Sequence, residues 1–211
     1  MQFVDRIEAG NHLAHELIKY RGLAVVYALP RGGVVLGSVV AQALGSPLDL
    51  VLVKKIGHPN YPEFAISAVA ENDQPVGVET NHKLENQAWF RQTVFDAQQE
   101  NERRRQSYFP SGYTAPNVAH QVAIIIDDGM ATGMTMLAAV RSIRQHFPQK
   151  IIIAVPVASS ESVARLQEQT DEVIAVDQPD HFLGAVGAHY IRFPQVEDND
   201  VIELLEASAY N

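Results

Sequence analysis

The chain has no cysteine, and this absence excludes several kinds of site at once. Without a thiol there is no disulfide framework, no thiolate nucleophile and no cysteine-based zinc site. Long apolar runs are also missing, since no stretch approaches the roughly 18 residues that indicate a membrane-spanning helix. Basic residues are few: 16 Lys and Arg stand against 25 Asp and Glu, which gives a net charge of −9. This balance disfavours broad binding to nucleic acids or anionic membranes and favours small anionic ligands held by local basic patches.

The length of 211 residues is enough to bury one good core. No Pro/Ser-rich linker, low-complexity tract or repeat divides the chain, so we expect a single domain over residues 1–211 with an accessory flap. The N-terminus carries Asp5, Arg6 and Glu8 instead of an apolar signal segment. These features predict a soluble cytoplasmic protein.

Apolar strands alternate with stretches of helical periodicity, a pattern that predicts an α/β fold with a doubly wound, mainly parallel sheet. In the first helix, Ile7, Leu13 and Leu17 are expected to face the core. The region between the second strand and the third helix is expected to be irregular. The predicted helices cover 7–20, 34–44, 85–108, 133–147 and 160–169, and the predicted strands cover 23–29, 48–54, 122–126, 151–157 and 173–176.

The most informative segment is 122–135, an apolar run that ends in two adjacent carboxylates and a loop of small residues. The run is mostly β-branched and uncharged, which indicates a strand buried on both faces. Asp127 and Asp128, the acidic pair, then lie at its carboxyl end, where open α/β sheets bind ligands. Gly129 and Gly133 allow a sharp turn or a close approach to a ligand. A helix that begins near Gly133 would direct its free N–H groups at an anion.

Two common phosphate motifs do not fit this loop. The dinucleotide fingerprint requires Gly-x-Gly-x-x-Gly, and the nucleoside triphosphate loop requires a lysine after its last glycine, where this chain has Met134. Helix capping alone is the structural alternative for the acidic pair, although one cap would suffice. Carboxylates accept hydrogen bonds from a cis-diol and repel a phosphate, so their position before an anion-binding loop would orient a ribose 5-phosphate.

The segment resembles the phosphoribosyl pyrophosphate (PRPP) binding motif of type I phosphoribosyltransferases. The resemblance implies that Asp127 and Asp128 hold the ribose 2′ and 3′ hydroxyls. It also implies that the following loop cradles the 5′-phosphate with backbone amides and threonine hydroxyls. This phosphate loop consists of Gly129, Met130, Ala131, Thr132, Gly133, Met134 and Thr135. The implied fold is that of the type I enzymes, with a small irregular hood and a flexible lid loop.

A second glycine-containing loop ends the first predicted strand and opens the next helix. Its two glycines permit a close backbone approach, and Arg31 can fork across two phosphate oxygens. An ordinary turn with an exposed arginine is the alternative. Type I phosphoribosyltransferases have their pyrophosphate loop at this place. By resemblance, the leaving pyrophosphate would be bound by a loop with a strained peptide, composed of Leu29, Pro30, Arg31, Gly32 and Gly33.

Lys54 and Lys55 close the next predicted strand. Because side chains alternate along a strand, only one of them can point into the cleft; we slightly favour Lys54 for a phosphate contact and keep Lys55 as a further substrate-binding candidate. The resemblance implies a mobile lid within 56–84 that would exclude water from the reaction. Glu71 or Glu63 on this lid is a candidate general base, and an ordinary exposed carboxylate is the alternative for both.

Residues 177–195 are too irregular for a helix and too aromatic for a solvated tail, so we expect them to form a hood over the acceptor. They resemble the corresponding region of the 6-oxopurine phosphoribosyltransferases, which implies that Phe182 stacks on the acceptor. Packing of Phe182 and Tyr190 against the sheet is the alternative. His189 stands where those enzymes carry an aspartate, and Ala131 stands at the loop position of their proton acceptor. Oxopurine acceptors are therefore disfavoured.

The resemblance extends over most of the chain, to bacterial proteins known only as predicted phosphoribosyltransferases. It is carried by Pro-Arg-Gly-Gly, Lys-Lys-Ile-Gly, Pro-Glu-Phe-Ala-Ile, Ala-Val-Ala-Glu and Ala-Val-Gly-Ala-His-Tyr. It supports the fold more than any named acceptor.

The expected activity is Mg²⁺-dependent transfer of ribose 5-phosphate from PRPP to a nitrogenous base or similar acceptor, with release of pyrophosphate. The Mg²⁺ would bind mainly through PRPP and water. The expected catalytic residues are Asp127, Asp128, Arg31 and Lys54. A PRPP sensor without transfer, and a nucleotide hydrolase or phosphorylase with the same phosphate loop, are the alternatives. We expect no nucleic acid or membrane partner, and a homodimer would match the family.

Overall fold

The computed structural model describes residues 1–71, 73–77 and 87–209, without the side chains at 62, 63 and 209. Five parallel strands form the central sheet in the order β2-β1-β5-β6-β7, and β3 and β4 form a separate antiparallel pair. The strands are β1 (Ala24–Ala28), β2 (Leu48–Leu50), β3 (Val53–His58), β4 (Tyr61–Ala70), β5 (Val122–Ile126), β6 (Lys150–Val157) and β7 (Glu172–Asp177). The helices are α1 (Arg6–Leu17), α2 (Gly32–Leu44), α3 (Ala88–Tyr108), α4 (Met134–Arg144), α5 (Ser160–Gln167) and α6 (Asp198–Ala209), with 3-10 turns at Ile18–Tyr20 and Val186–His189.

Helices cover both faces of the central sheet, which confirms the doubly wound α/β prediction. Every residue of β5 is buried, and alternate side chains of this strand enter different clusters. Ile124 and Ile126 pack with α1, α2 and α6, whereas Ala123 and Ile125 pack with α4 and α5. A strand buried on both faces needs no polar alternation, which explains the uninterrupted apolar run at 122–126. No helix in the described part of the chain is both long and apolar enough to cross a membrane.

The first helix buries two of the three residues that the sequence pattern placed on its inner face. Leu13 and Leu17 are fully buried as expected, but Ile7 is 58% exposed. The Asp5 side chain caps the helix by accepting hydrogen bonds from the backbone N–H groups of Ile7 and Glu8. With the helix starting at this point, Arg6 lies on the same stripe as Leu13 and Leu17, because positions spaced by three, four or seven share a helix face. A charged residue is therefore buried where an apolar one was expected.

The predicted strand 48–54 is divided between two sheets. Its first part is β2, at the edge of the central sheet, and its second part begins β3, which pairs with β4. The region expected to be irregular therefore contains a β-hairpin up to Ala70. Register shifts near Gly57 and His58 interrupt this pairing. Residues 72 and 78–84 of the expected lid lie outside the described residues, and the lid's movement stays a prediction.

The C-terminal helix α6 was not predicted. It buries Val201 and Leu205 in the main core cluster, packing against α2. Only these two strongly buried apolar residues mark its inner face, in a segment that begins with acidic residues. Two apolar positions are too few for sequence periodicity to distinguish a helix from an irregular tail.

Candidate functional site

The carboxyl ends of β1 and β5 are neighbours, and they bring the two candidate loops into contact. The backbone N–H of Leu29 donates to the carbonyl oxygen of Ile126 at 2.9 Å. A Cβ on Gly33 would lie 2.8 Å from that same oxygen and 3.1 Å from the Cα of Asp127. The predicted pyrophosphate loop, residues 29–33, therefore lies directly against the start of the acidic pair. Within it, the peptide bond between Pro30 and Arg31 is cis.

Each carboxylate of the acidic pair has one oxygen held by the protein. Asp127 Oδ1 accepts a hydrogen bond from the backbone N–H of Asp128 at 2.8 Å. Asp128 Oδ2 accepts from Nε of Arg6 at 2.9 Å, and the Arg6 Nη2 atom lies at the same distance. The Asp128 carboxyl also interacts with its own backbone N–H and with the Asp127 side chain. The two carboxyls therefore lie side by side, each fixed through one oxygen.

The electrostatic setting of the pair raises the pKa of both carboxyls above the usual aspartate value. For Asp127 the main cause is burial, followed by the negative charge of Asp128. For Asp128 burial again raises the pKa, and the Arg6 guanidinium opposes this effect. Nearby cations therefore determine how far this pair remains ionised.

The phosphate loop is tied down through its carbonyl groups. Ser159, the N-cap residue of α5, donates from its backbone N–H to the Met130 carbonyl at 3.0 Å and from its hydroxyl to the Ala131 carbonyl at 2.7 Å. Gly133 adopts the left-handed conformation, with φ of 67°, immediately before α4 begins. The first backbone hydrogen bond of α4 runs from Leu137 N–H to the Gly133 carbonyl. Met130 N–H donates to the Val157 carbonyl at 2.8 Å, whereas the amides of the first turn of α4 precede the Leu137 bond and have no partner within the helix.

Arg165, on α5, adds a cationic group that sequence reasoning missed. Its Nη2 atom lies 3.3 Å from the position that a Cβ on Gly133 would occupy. Nε and Nη2 of Arg165 are both buried and have no hydrogen-bond acceptor among the described residues. Buried guanidinium nitrogens normally have such partners. Arg165 therefore places a cation beside the phosphate loop. Its Nε and Nη2 atoms have no hydrogen-bond acceptor among the described residues.

The strand register decides which lysine faces the acidic pair. In the β3–β4 ladder, Lys55 is opposite Ala68 and Lys54 is opposite Val69. Ala68 packs with α4, whereas Val69 packs with α3, and opposite residues project from the same face. The charge of Lys55 accordingly lowers the pKa of Asp127. The structure favours Lys55 over Lys54, which reverses the sequence-based preference.

Arg31 connects the pyrophosphate loop to the C-terminal helix. Its Nη1 atom lies 3.7 Å from the carboxylates of both Glu197 and Asp198, at the start of α6. The side chain is 35% exposed. Ion pairs this long and this solvated are weak, so a pyrophosphate could replace them. Phosphate binding by Arg31 stays a prediction.

Two residues of the segment predicted to form the hood contact the acidic pair and the loop that follows it. The Tyr190 hydroxyl donates to the backbone carbonyl of Asp128 at 2.6 Å, and Tyr190 itself is buried. Val186 covers the phosphate loop so closely that a Cβ on Gly129 would be 2.5 Å from its Cγ1. The Phe182 ring is half-buried and lies 4.8 Å from the His189 ring, with 34° between their planes. Packing therefore accounts for Tyr190, while stacking of Phe182 on an acceptor stays a prediction.

Glu71, one of the two candidate bases, belongs to a separate ionic cluster. Its carboxylate lies 3.3 Å from Arg105 Nη1, and Nη2 of the same arginine forks onto both Asp49 oxygens at 2.9 and 3.1 Å. Burial raises the pKa of Glu71 to about 7. The cluster lines a cavity of about 550 Å³ between the sheet, α3 and α4. Glu71 is thus engaged by Arg105, and the side chain of Glu63 lies outside the described residues.

Comparisons with known proteins agree with this architecture. A family model described as the phosphoribosyl transferase domain matches residues 4–190. Rv0571c of Mycobacterium tuberculosis strain H37Rv, provisionally named a phosphoribosyl transferase, is 36% identical over 209 residues, covering 97% of this chain and 46% of that protein. This chain therefore spans about half the length of the curated relatives it matches.

Solved structures show the same fold. TT1426 from Thermus thermophilus has a TM-score of 0.82 and 38% sequence identity, covering 97% of this chain and 98% of its own. AQ2163 from Aquifex aeolicus, at 14% identity, has a TM-score of 0.50 over 81% of this chain and 71% of its own. Since the family model covers most of the sequence and TT1426 shares its length and fold, the chain belongs to the phosphoribosyl transferase domain family.

Proposed function

We propose that the protein transfers ribose 5-phosphate from PRPP to a nitrogenous base or similar acceptor and releases pyrophosphate. One observation carries this proposal: two adjacent carboxylates, each fixed through one oxygen, stand immediately before the phosphate loop and the start of α4. A ribose 5-phosphate has two neighbouring hydroxyl donors and a terminal dianion. The pyrophosphate loop, in contact with the pair on its other side, would hold the second anion of PRPP.

The sugar hydroxyls and the 5′-phosphate would be held by groups of opposite charge. Asp127 Oδ2 and Asp128 Oδ1 would accept hydrogen bonds from the 2′ and 3′ hydroxyls, and such bonds to ionised acceptors are the stronger kind. The amides of the phosphate loop and the dipole of α4 would bind the 5′-phosphate, assisted by the hydroxyls of Thr132 and Thr135. Exchanging the two ends would place the phosphate against two carboxylates. The site therefore accepts the donor in one orientation.

The leaving group would depart toward positive charge. As the C1–oxygen bond breaks and the acceptor bonds to C1, negative charge grows on the pyrophosphate, and Arg31 and Lys55 would stabilise it. The acidic pair would hold the ribose still while C1 acquires oxocarbenium character. Val186 and Tyr190 of the hood would limit the access of water to C1. Preorganised charges of this kind supply most of the rate enhancement in such a transfer.

The donor set of the site suits Mg²⁺ that is bound mainly through the substrate and water. Among the described residues, no group of three or more metal-binding side chains is close enough to hold a metal ion alone. Mg²⁺ prefers oxygen ligands and commonly binds through substrate phosphates with only one or two carboxylates. When bound with PRPP, the ion would neutralise charge on the pyrophosphate.

The test is calorimetric titration with PRPP, with and without Mg²⁺, and with ribose 5-phosphate as the control ligand. We expect Mg²⁺-dependent binding of PRPP, weaker binding of ribose 5-phosphate, and loss of PRPP binding in Asp127→Asn. Pyrophosphate release would then be screened over purine and pyrimidine bases. Absence of PRPP binding to the folded wild-type protein would refute the proposal.

A second candidate function is PRPP binding without transfer. The observation that favours it is the engagement of Glu71 by Arg105, which leaves the described part of the site without an assigned general base. A sensor would bind PRPP and release no pyrophosphate with any base.

Product analysis separates a third possibility, since a nucleotide hydrolase or phosphorylase would produce ribose 5-phosphate or ribose 1,5-bisphosphate from a nucleotide.

A further inference from the structure

Arg6, the first residue of α1, is the point at which three parts of the site meet. It is only 8% exposed. Its Nε and Nη2 atoms both lie 2.9 Å from Asp128 Oδ2, and Nη1 donates to the Pro194 carbonyl at 2.6 Å. The guanidinium carbon lies 3.7 Å from the centre of the Phe193 ring. The guanidinium is therefore fixed by an anion, a backbone carbonyl and an aromatic face.

The arginine also determines which Asp128 oxygen is exposed to a ligand. Oδ2 lies between the Arg6 guanidinium and Gly32, because a Cβ on Gly32 would be 1.9 Å from this oxygen and 3.1 Å from Arg6 Nε. A carboxylate pinned on one side can rotate little, so Oδ1 remains directed away from the arginine. Without Arg6, the carboxylate would be free to turn either oxygen toward the sugar or to take up a proton.

The same arginine ties the acidic pair to the hood. Phe193 packs against Tyr190, with 4.8 Å between ring centres, and a Cβ on Gly187 would be 2.9 Å from Phe193 Cδ1. Tyr190 in turn donates to the Asp128 backbone carbonyl. Asp128 is thus connected to the hood by its side chain through Arg6 and by its backbone through Tyr190. The two connections form a closed ring of contacts around one residue.

We propose that Arg6 is a positioning residue of this site: it fixes Asp128 Oδ2 against Gly32, presents Oδ1 to one ribose hydroxyl, and couples that carboxylate to the hood. The assignment of a ribose hydroxyl rests on the proposed function, whereas the effect of Arg6 on Asp128 does not. Arg6 touches no reacting atom, so its contribution acts through Asp128. The cations Arg6 and Lys55 lower the pKa of the pair, and the buried Tyr190 hydroxyl is a further titratable group that faces it.

The test compares Arg6→Gln, Arg6→Lys and the matched control Arg192→Gln. Arg192 joins the same two segments as Arg6, through an ion pair of 2.6 Å with Asp5, but its side chain is 66% exposed. Removing it takes away the same charge without touching Asp128. Calorimetry should show PRPP affinity reduced about tenfold or more in Arg6→Gln and unchanged in Arg192→Gln, as is typical when a residue that orients a ligand-binding side chain is removed.

A second readout needs no ligand. Carboxyl carbon NMR titration of the free protein should show the apparent pKa of the acidic pair rising in Arg6→Gln, because the opposing cation is gone. Arg6→Lys should keep much of the wild-type titration but still bind PRPP more weakly, since a single ammonium cannot reproduce the fork. A purely structural role would lower the melting temperature in Arg6→Gln without moving this titration.

The two proposals can fail separately. If wild-type protein binds no PRPP, the proposed function falls, while the titration still tests the role of Arg6. If Arg6→Gln is folded, binds PRPP as wild type does and titrates unchanged, the role of Arg6 is refuted and the proposed function stands. Should Arg6→Gln not fold, Arg6→Lys carries the same test, and wild-type PRPP affinity in that variant would count against the positioning role.

Discussion

Asp128 Oδ2 lies so close to Gly32 that a Cβ on Gly32 would be 1.9 Å from this oxygen and 2.7 Å from Cγ of the same carboxyl. Real Cβ atoms do not approach other atoms so closely. The pyrophosphate loop and the acidic pair therefore fit together only if residue 32 has no side chain. At this position glycine is needed for a contact between two loops, because its backbone φ is not in the left-handed region.

Gly32→Ala should consequently displace Asp128 and weaken PRPP binding strongly, even if the protein still folds. The new methyl group must push the carboxylate away from Arg6 or shift the pyrophosphate loop. Calorimetric titration with PRPP and the melting temperature measure the two effects.

The matched control for that change is Gly22→Ala. Gly22 has φ of 70° and nothing within 4 Å of its Cβ position. The backbone strain should lower its stability by about 1 kcal/mol while PRPP affinity stays at the wild-type level. Equal loss of affinity in both variants would show that general destabilisation, and not the contact with Asp128, weakens binding.

Lys55→Gln should weaken binding of PRPP, whereas Lys54→Gln should have little effect. The two residues are adjacent and both exposed, but they project from opposite faces of β3, and only Lys55 acts on Asp127. The pair is therefore its own matched control for a charge change on one strand. Calorimetry at low and high salt measures the result, and loss of the Lys55 contact should reduce the salt dependence. A larger effect from Lys54 would reverse the assignment.

The central features of the site were predictable because their signals are local. A fully buried parallel strand appears as an uncharged, β-branched run, and the ladder confirms Val122–Ile126 at its predicted bounds. Carboxylates and glycines directly after such a strand must lie at the ligand-binding edge of the sheet. The same reasoning placed the loop at 29–33 beside them, and β1 and β5 are indeed adjacent.

The remaining parts of the site depend on contacts that no local pattern records. Arg6 and Asp128 are 122 positions apart in the chain, and Arg165 reaches the phosphate loop from the following strand–helix unit. The sequence could not decide between Lys54 and Lys55, because the apolar run 48–54 hides a change of sheet between β2 and β3. Only the pairing of β3 with β4 fixes which face each lysine takes. The sequence signal that could have pointed to Arg6 is its position on the helix face that also carries Leu13 and Leu17.

Arg165→Gln should reduce affinity for PRPP and for ribose 5-phosphate by a similar factor. Both ligands carry the 5′-phosphate, and the unpartnered Arg165 nitrogens lie beside the loop that would bind it. The matched control is Arg144→Gln, since Arg144 is exposed at the far end of α4 and donates to the Gln169 carbonyl. Isothermal titration with both ligands gives the comparison. If Arg165→Gln weakens only PRPP, the arginine acts on the pyrophosphate end instead.

Glu71 should make the free energy of unfolding depend on pH in a direction opposite to that of an ordinary ion-paired carboxylate. Burial raises its pKa from 4.5 to about 7 in the folded protein. Between these values the folded state retains a proton that the unfolded chain has released, so stability falls as pH rises through this window. The measured quantity is the free energy of unfolding in urea, for wild type and Glu71→Gln, at several pH values from 5 to 8. The wild-type value relative to the variant should fall by about 1 to 2 kcal/mol over this range, after allowance for partial exposure.

Glu168→Gln is the matched control, because it removes the same charge from an exposed side chain at the end of α5, whereas the nearby Glu102 itself raises the pKa of Glu71. The same variants also decide whether Glu71 is the base. With Glu71 held by Arg105 and Asp49 nearby, Glu71→Gln should retain PRPP binding and any transfer activity that the acceptor screen reveals. If Glu71→Gln changes the pH dependence of the free energy of unfolding no more than the control does, Glu71 ionises as easily in the folded protein as in water. Loss of turnover with PRPP affinity intact would show instead that this carboxylate leaves Arg105 during the reaction and accepts the proton of the incoming base.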